Sequence, residues 1–306
     1  MLLILPVLLY FLWSSSFPLG KILLNYGPPI FLTGARMTLA GLILVGFLAI
    51  RKRSSFRLSK RQIISLILLS IFSIYLTNIC EFWGLQHLTA AKTCFIYSLS
   101  PFFAALFSYI HFKEKMSPRK WIGFAIGFLG FIPVLLSQSG AEELFSITSW
   151  LSLPELAIAG AALFSVYGWV ILRVTVKDQA VSPLMANGTS MLLGGCLALI
   201  HSFFIDSWNP LPVSTHNLTP LISTILIMTF ISNIVCFNLY GYLLKRFTAT
   251  FLSFVGLLSP IFASINSWVL LGERPTWVIF AGTAIMLFGM WVVYKDEIAQ
   301  KAPKPV

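Results

Sequence analysis

Stretches of about 20 mostly apolar residues follow one another along almost the whole chain, with only short connectors between them. A helix of that length is what a chain needs to cross the hydrocarbon core of a bilayer, which is about 30 Å thick. Of the 306 residues, 58% are hydrophobic and 10% are charged, whereas about 25% of the residues in a soluble domain are charged. The sequence therefore excludes an ordinary soluble enzyme, a disordered protein and a disulfide-stapled secreted domain. It predicts an all-α integral membrane protein.

The hydropathy pattern predicts ten transmembrane helices and leaves no room for a soluble domain. Several connectors carry residues that interrupt helices, such as Pro28-Pro29, Ser117-Pro118 and Ser182-Pro183. The expected spans are 2–24, 29–50, 62–84, 88–111, 119–137, 152–173, 183–205, 219–241, 248–271 and 276–294.

Basic residues are concentrated in every second connector. On the ten-span prediction, 17 of the 21 Lys and Arg residues fall on one side of the membrane. Connectors rich in Lys and Arg stay in the cytoplasm, so we expect a multi-pass protein of the cell inner membrane with both termini cytoplasmic. The net charge of +11 therefore reflects topology and contact with membrane lipid, and we expect no nucleic-acid partner.

The chain also contains an internal repeat. Residues 88–131 align without gaps to residues 247–290, an offset of 159, with 14 of 44 pairs identical. The aligned pairs are Ser100-Pro101 with Ser259-Pro260, Glu114 with Glu273, Gly123 with Gly282 and Gly130 with Gly289. Each repeat then holds five spans, so the second copy enters the membrane from the opposite side, as in many secondary transporters. We expect repeat 1 at 1–137, repeat 2 at 152–294 and a cytoplasmic tail at 295–306.

Several segments resemble the EamA-type members of the drug/metabolite transporter superfamily. They are Phe31–Ala40, Trp83–Ala91, Leu99-Ser100-Pro101 with Glu114 and Gly123, and Leu258-Ser259-Pro260 with Glu273 and Gly282. The resemblance implies a ten-helix carrier with two inverted five-helix repeats around a central cavity. Such a carrier works by alternating access without ATP hydrolysis, is no enzyme and needs no cofactor.

The segment Glu81–Lys92 is similar to the S-adenosylmethionine/S-adenosylhomocysteine transporters of obligate intracellular bacteria. This similarity implies a small-molecule substrate, S-adenosylmethionine, exchanged for S-adenosylhomocysteine. Two alternatives stay open: an exporter of amino acids or other small metabolites, and a non-transporting scaffold or lipid-modifying enzyme. Catalytic signatures such as HExxH, GxSxG and the Walker A loop are absent from the sequence, and the scattered histidines and four cysteines predict no metal site.

Ionisable residues inside a bilayer are costly and usually face a cavity or a partner. Glu81 is a candidate counter-ion for a cationic substrate group or a proton-coupling carboxylate. The alternatives are a salt bridge to Lys92 or Arg36, or an interfacial position in contact with water. Lys92 is a candidate for the substrate carboxylate, or else reaches the headgroups, and Arg36 either contacts substrate or ties helices together. For Glu114 and Glu273 we expect a shared structural role, so Glu81→Gln should lower transport more than Glu114→Gln.

Aromatic and amide side chains complete the predicted substrate site. An aromatic face attracts a sulfonium or ammonium group by about 0.5–2 kcal/mol, and the same rings can stack on adenine. Core packing and the aromatic belt at the membrane interface are the competing roles for these rings. The aromatic candidates are Trp13, Phe17, Trp83, Tyr97, Tyr167 and Trp169. Asn233 and Asn238 either bind polar edges of the substrate or tie helices together.

Overall fold

The computed structural model describes residues 4–51, 56–112, 117–137, 146–148, 151–213, 218–243, 246–247 and 249–301. Glu114 and the end of the tail, 302–306, lie outside the described residues. In the described part of the chain, eight helices are long and apolar enough to cross a membrane. Large apolar side chains such as Ile50, 84% exposed, and Phe204, 80% exposed, lie on their outer surfaces. The protein is therefore a multi-pass helical membrane protein, as the hydropathy pattern predicts.

The helices run in chain order as follows. The first half contains α1 (Ile4–Ser14), α2 (Ser16–Leu23), α3 (Pro29–Arg51), α4 (Lys60–Leu69), α5 (Thr77–His87), α6 (Ala90–Tyr97), α7 (Ser100–Phe112), α8 (Pro118–Leu129) and α9 (Ile132–Leu136). The second half contains α10 (Leu153–Lys177), α11 (Pro183–Ile205), α12 (Leu218–Met228), α13 (Phe237–Leu243), α14 (Ala249–Gly256), α15 (Ser259–Leu271) and α16 (Trp277–Lys301). Two short antiparallel strands, β1 (Ser146–Thr148) and β2 (Leu151–Ser152), lie between the halves.

Prolines divide two of the expected spans. The span expected at 2–24 breaks at Ser15 into α1 and α2, because in a continuous helix the ring of Pro18 would clash with the carbonyl group four residues earlier. The span expected at 88–111 breaks between α6 and α7 in the same way, before Pro101. There the hydroxyl of Ser100 donates to the carbonyl of Tyr97 at 2.6 Å, so the freed acceptor is satisfied. These two spans are consequently not among the eight long helices.

Two π-helical segments interrupt the middle of long helices. One is Ser70–Leu76, between α4 and α5, and the other is Thr229–Cys236, between α12 and α13. In the first, the Thr77 hydroxyl donates to the carbonyl of Phe72, five residues earlier, at 2.7 Å. Such bulges occur often at functional sites, and here the segment precedes the turn of α5 that carries Asn78 and Glu81.

Glycines allow two helix pairs to approach closely. On α3, a methyl group added at Gly41 would lie 2.5 Å from the Cα atom of Leu192 on α11. Between α8 and α16, Gly123 faces the carbonyl of Gly289 and Gly130 faces that of Gly282. The earlier glycine of α8 faces the later glycine of α16, and the later one faces the earlier, so α8 and α16 run antiparallel. Small residues serve this close packing because helices in lipid gain little from hydrophobic burial.

Candidate functional site

A cavity of about 1270 Å³ extends into the protein between α1, α2, α3, α5, α6, α10 and α13. At one end it is lined by Phe17, Arg36, Glu81 and Tyr97, and we call this the deep end. At the other end it is lined by Arg173 and Lys177, near the C-terminal end of α10, and by Arg246, just after α13. We call this end the mouth. The three mouth side chains are exposed, so the cavity opens there.

Arg36 lines the deep end although it is only 3% exposed. Its Nη2 donates to Oδ1 of Asn78 at 2.7 Å, and Nδ2 of Asn78 donates to the carbonyl of Ile74 at 2.8 Å. The guanidinium also lies over the ring of Phe82, 4.9 Å from its centroid. Its Nε has no hydrogen-bond partner. A buried donor is costly to leave unpaired, and this atom has almost no solvent-accessible surface.

Glu81 lies on α5, one turn beyond Asn78, and its carboxylate also lines the cavity. It is close enough to Arg36 for an electrostatic interaction, but the two side chains form no direct ion pair. Tyr97 is a further electrostatic neighbour of the carboxylate. The deep end thus presents one anion and one cation side by side, each with capacity for a further partner.

Toward the turn between α5 and α6, no described residue beyond Phe17 on α2, Glu81 on α5 and Cys94 on α6 lines the cavity. The rings of Phe17 and Tyr97 meet edge to face at 6.0 Å, and Phe17 packs in a buried cluster with Leu85 and Ala263. Farther out, the ammonium of Lys21 donates to the carbonyl of Leu85 at 2.9 Å, at the end of α5. These contacts join α2, α5, α6 and α15 into a plug at the deep end.

Glu273 adds a second tie at this plug. Its carboxylate accepts from the backbone N–H of Ala90, at the first turn of α6, at 3.3 Å. It also interacts electrostatically with Lys21. Glu273 does not line the cavity, which agrees with the structural role expected for it.

An aromatic wall lines the cavity between the deep end and the mouth; we use this name for Tyr10, Trp13, Trp169, Phe237 and Tyr240. The ring of Trp169 stacks on Phe237 at 6.0 Å and meets Tyr240 edge to face at 4.2 Å. Trp13 lies 5.7 Å from Trp169 and 5.2 Å from Phe237. The sequence predicted Trp13 and Trp169 but missed the other three, which are common aromatic residues within apolar runs.

Lys92 lies outside the cavity lining, in a complete ion pair. Its Nζ is 2.9 Å from Oε1 of Glu155, and the two side chains are 5% and 0% exposed. The ammonium also donates to the carbonyl of Ser137 at 3.3 Å. The other oxygen of Glu155 accepts from the backbone N–H of Ser152 at 2.6 Å and caps the start of α10. The pair therefore ties α6 to α10 and does not face the cavity.

Four more predicted residues also lie outside the cavity lining. Trp83 packs against His87, and Tyr167 borders a small apolar groove with Phe72. Asn233 is fully buried and its amide donates to the sulfur of Met37, while the amide of Asn238 donates to its own helix. The predicted residues that the cavity brings together are Trp13, Phe17, Arg36, Glu81, Tyr97 and Trp169.

No group of three or more His, Cys, Asp or Glu side chains placed to bind a metal occurs among the residues that the structure describes.

An open, aromatic-lined cavity with a charged end, enclosed by membrane-spanning helices, defines a membrane carrier for small molecules. The EamA-like transporter family model matches residues 1–136 and 152–295, so the chain belongs to that family. The predicted membership of this family is confirmed, and so is the prediction that the protein is a transporter and not an enzyme.

Curated relatives are similar to the chain over most of its length. A "S-adenosylmethionine/S-adenosylhomocysteine transporter" from Chlamydia muridarum is 40% identical over 95% of this chain and 90% of its own. A protein with the same name from Chlamydia trachomatis serovar L2 is 40% identical over 95% of this chain and 88% of its own. A crystal structure with 17% identity has a TM-score of 0.69 and covers 97% of this chain and 98% of that one. This last likeness shows a shared fold.

Proposed function

We propose that the protein exchanges S-adenosylmethionine for S-adenosylhomocysteine across the inner membrane by alternating access. The observation that carries the proposal is the deep end, where Arg36 and Glu81 face one cavity without pairing with each other. Relatives 40% identical over 95% of the chain bear the name of that transporter.

The chemistry of the two ligands matches the two parts of the cavity. Both ligands carry an α-amino acid group, so the guanidinium of Arg36 binds the carboxylate and Glu81 binds the ammonium. A guanidinium suits a carboxylate because it offers parallel donors in one plane, and Arg36 lines the cavity. The aromatic wall receives the adenine ring by stacking and contacts the sulfonium through its π faces. Phe17 and Tyr97 close the space behind the amino acid group.

The remaining predicted residues act around the site instead of in it. Lys92 holds α6 to α10 through Glu155, and Asn233 holds α3 against the second π-helical segment through Met37. Trp83, Tyr167 and Asn238 have packing roles. On this proposal, they affect transport only by destabilising the fold.

The fold that we propose has ten spans in two inverted five-helix repeats, 1–137 and 152–294. Three features support it. The two aligned Ser-Pro pairs both break helices, α6 from α7 and α14 from α15. The π-helical segments start at Ser70 and Thr229, 159 positions apart, which is the offset of the sequence repeat. The paired helices α8 and α16, which correspond in the two repeats, run antiparallel.

We further propose that both termini and the tail 295–306 are cytoplasmic. The concentration of basic residues in alternate connectors supports this orientation. Arg173 and Lys177 end α10 and Arg246 follows α13, so the mouth belongs to the basic side. The structure then corresponds to an inward-open carrier with its plug on the outer side.

The test is counterflow in liposomes that contain the purified full chain and are preloaded with S-adenosylhomocysteine. We expect saturable uptake of labelled S-adenosylmethionine that external S-adenosylhomocysteine inhibits. Uptake that common amino acids inhibit instead would favour the amino acid exporter. No saturable uptake of either ligand would contradict the proposal.

Two variants test the proposed site, and a third provides a matched control. Arg36→Gln and Glu81→Gln each remove a charged contact to the amino acid group, so we expect at least about a tenfold loss of apparent affinity, from about 1.5–3 kcal/mol per charged hydrogen bond. Glu273→Gln makes the same chemical change as Glu81→Gln but lies outside the cavity lining. Equal losses for Glu81→Gln and Glu273→Gln would contradict the site assignment.

A further inference from the structure

The side-chain amide of Asn187 faces the cavity, and the proposed function does not yet use it. Asn187 lies one turn into α11, lines the cavity and is only 4% exposed. Its backbone carbonyl accepts from the hydroxyl of Ser190 at 3.1 Å, but its amide forms no hydrogen bond in the part of the chain that the structure describes. The amide oxygen and nitrogen are not among the fully buried polar atoms that lack a partner, so both retain contact with the cavity.

An amide inside a membrane helix is usually paired, because lipid offers it no hydrogen-bond partner. In the other described spans the asparagine amides each donate to a carbonyl, a hydroxyl or a methionine sulfur. These asparagines are Asn78, Asn233, Asn238 and Asn266. Asn187 is different, since its donor and its acceptor are both directed to the cavity, and this indicates a ligand that offers one acceptor and one donor.

Asn187 lies level with the aromatic wall. Leu184 and Met191, three residues before it and four after it, share its face of α11, and both belong with Phe237 to one hydrophobic cluster. The ring of Phe237 stacks in turn on Trp169 at 6.0 Å. A planar group stacked on these rings therefore presents its edge toward α11 and the amide of Asn187.

Asn187 also lies on the mouth side of the deep end. α11 begins at Pro183, and a methyl group added at Gly241 of α13 would lie 3.6 Å from the Cβ atom of that proline. Gly241 is five residues before Arg246 of the mouth, so the start of α11 is at that end of the cavity. Asn187 follows Pro183 by one helical turn, about 6 Å along the axis at about 1.5 Å per residue.

We propose that Asn187 selects adenine among the bases by binding its 6-amino group and N7, an inference that rests on the proposed function and deepens it. With the amino acid group at the deep end and the ring on the aromatic wall, the edge of adenine farthest from the ribose points to the mouth side. That edge carries the 6-amino group. The amide oxygen of Asn187 accepts from the 6-amino group while the amide nitrogen donates to N7, which is the pairing by which asparagine recognises adenine in DNA.

The amide supplies a selectivity that the aromatic wall lacks. Stacking on aromatic rings tolerates every base, because each base has a π face. Hypoxanthine carries a carbonyl oxygen in place of the 6-amino group, so the amide oxygen of Asn187 would face a second acceptor. A good bidentate pair of this kind discriminates against the wrong base by at least about fivefold.

The experiment is counterflow of labelled S-adenosylmethionine into liposomes that contain the full chain, with two unlabelled inhibitors. The measured quantity is the ratio of half-inhibitory concentrations, S-inosylhomocysteine over S-adenosylhomocysteine. We expect a ratio of about ten or more in the wild type and a ratio of about one for Asn187→Leu, which removes the amide at similar size. Asn238→Leu makes the same chemical change on α13 outside the cavity lining, and it should keep the wild-type ratio.

The wild-type protein supplies a second measurement, which does not depend on the folding of a variant. The 7-deaza analogue of S-adenosylhomocysteine has a C–H group in place of N7, so it should inhibit at least about fivefold more weakly, because the amide N–H loses its acceptor. Equal inhibition of the wild type by S-adenosylhomocysteine and either analogue, or a ratio that Asn187→Leu leaves at the wild-type value, would overturn the role of Asn187 while saturable exchange upholds the proposed function. Absence of saturable uptake in the wild type would overturn both.

Discussion

The buried ion pair between Lys92 and Glu155 separates a structural role from a substrate-binding role. Its charged atoms are 2.9 Å apart and both side chains are at least 95% buried. The perturbations are Lys92→Met, Glu155→Gln and the two together. Gln is chosen at 155 because its amide oxygen can still accept from the N–H of Ser152 and cap α10. Met at 92 keeps the apolar stem of the lysine.

Each single change removes one of the two charges and leaves the other buried. Breaking such a pair costs about 3–5 kcal/mol, whereas replacing both members by neutral residues is often nearly neutral. An exposed pair would contribute only about 0–1 kcal/mol. At about 2 °C per kcal/mol, we expect each single variant to melt roughly 6–10 °C lower than the wild type. We expect the double variant to recover most of that loss.

The assay is thermal unfolding of the purified full chain in detergent, followed by tryptophan fluorescence, together with uptake in liposomes. Lys60→Met, at an exposed lysine, is the control and should melt with the wild type. The double variant should also transport, because the pair lies outside the cavity lining. If Lys92→Met melts normally but loses transport, and Glu155→Gln does not restore it, Lys92 binds the substrate and the reasoning is refuted.

Three further predictions follow from the packing, the aromatic wall and the plug. Gly41→Ala should destabilise the fold by about 1–3 kcal/mol, because its methyl group would lie 2.5 Å from the facing backbone. Its control is Gly46→Ala, where the added methyl group would have nothing within 4 Å, and this variant should not lower the melting temperature. Trp169→Ala should weaken inhibition of uptake by both adenosyl ligands about tenfold, from about 1–3 kcal/mol for a stacked base, and Trp268→Ala, 58% exposed on the outer surface, should not. Burial raises the pKa of the Glu273 carboxyl above its ordinary value of 4.5, so the folded chain favours the protonated form and the free energy of unfolding falls as the pH rises through that pKa. We expect Glu273→Gln to flatten the decline of the melting temperature as the pH rises above 4.5, and an unchanged slope would contradict this.

The class of fold was predictable because length and hydropathy alone determine which segments can cross a bilayer. The bounds of α3, α10 and α11 differ by only a few residues from the expected spans at 29–50, 152–173 and 183–205. The breaks inside spans were not predicted, although Pro18 and Pro101 are visible in the sequence. A proline within a membrane helix is tolerated when side chains satisfy the freed carbonyl, and that compensation is seen only in the structure, as at Ser100.

The site was predicted in part for a similar reason. A charge within an apolar run is conspicuous, so Arg36, Glu81 and Lys92 all stood out, but the sequence does not reveal which charges pair. Glu155 lies at the start of a span in a Ser-x-x-Glu capping pattern, which masks its second role as the partner of Lys92. Once that pair is assigned, Arg36 and Glu81 remain as the charged residues of the deep end.

The aromatic wall and the deep end are related through the repeat. At the offset of 159, Asn78 corresponds to Phe237 and Glu81 to Tyr240, and each pair follows a π-helical segment in its own half. All four residues line the same cavity, and the two halves differ there in side-chain chemistry. Corresponding segments of the two halves thus line the cavity with polar groups from the first half and aromatic rings from the second. On the inverted-repeat fold proposed above, the related halves provide two alternative conformations, while the proposed ligand, with an amino acid group at one end and an adenine at the other, requires unlike walls. The substitution of Phe and Tyr for Asn and Glu at corresponding positions reconciles the two requirements, and it is the reason that the repeat alone could not indicate the substrate.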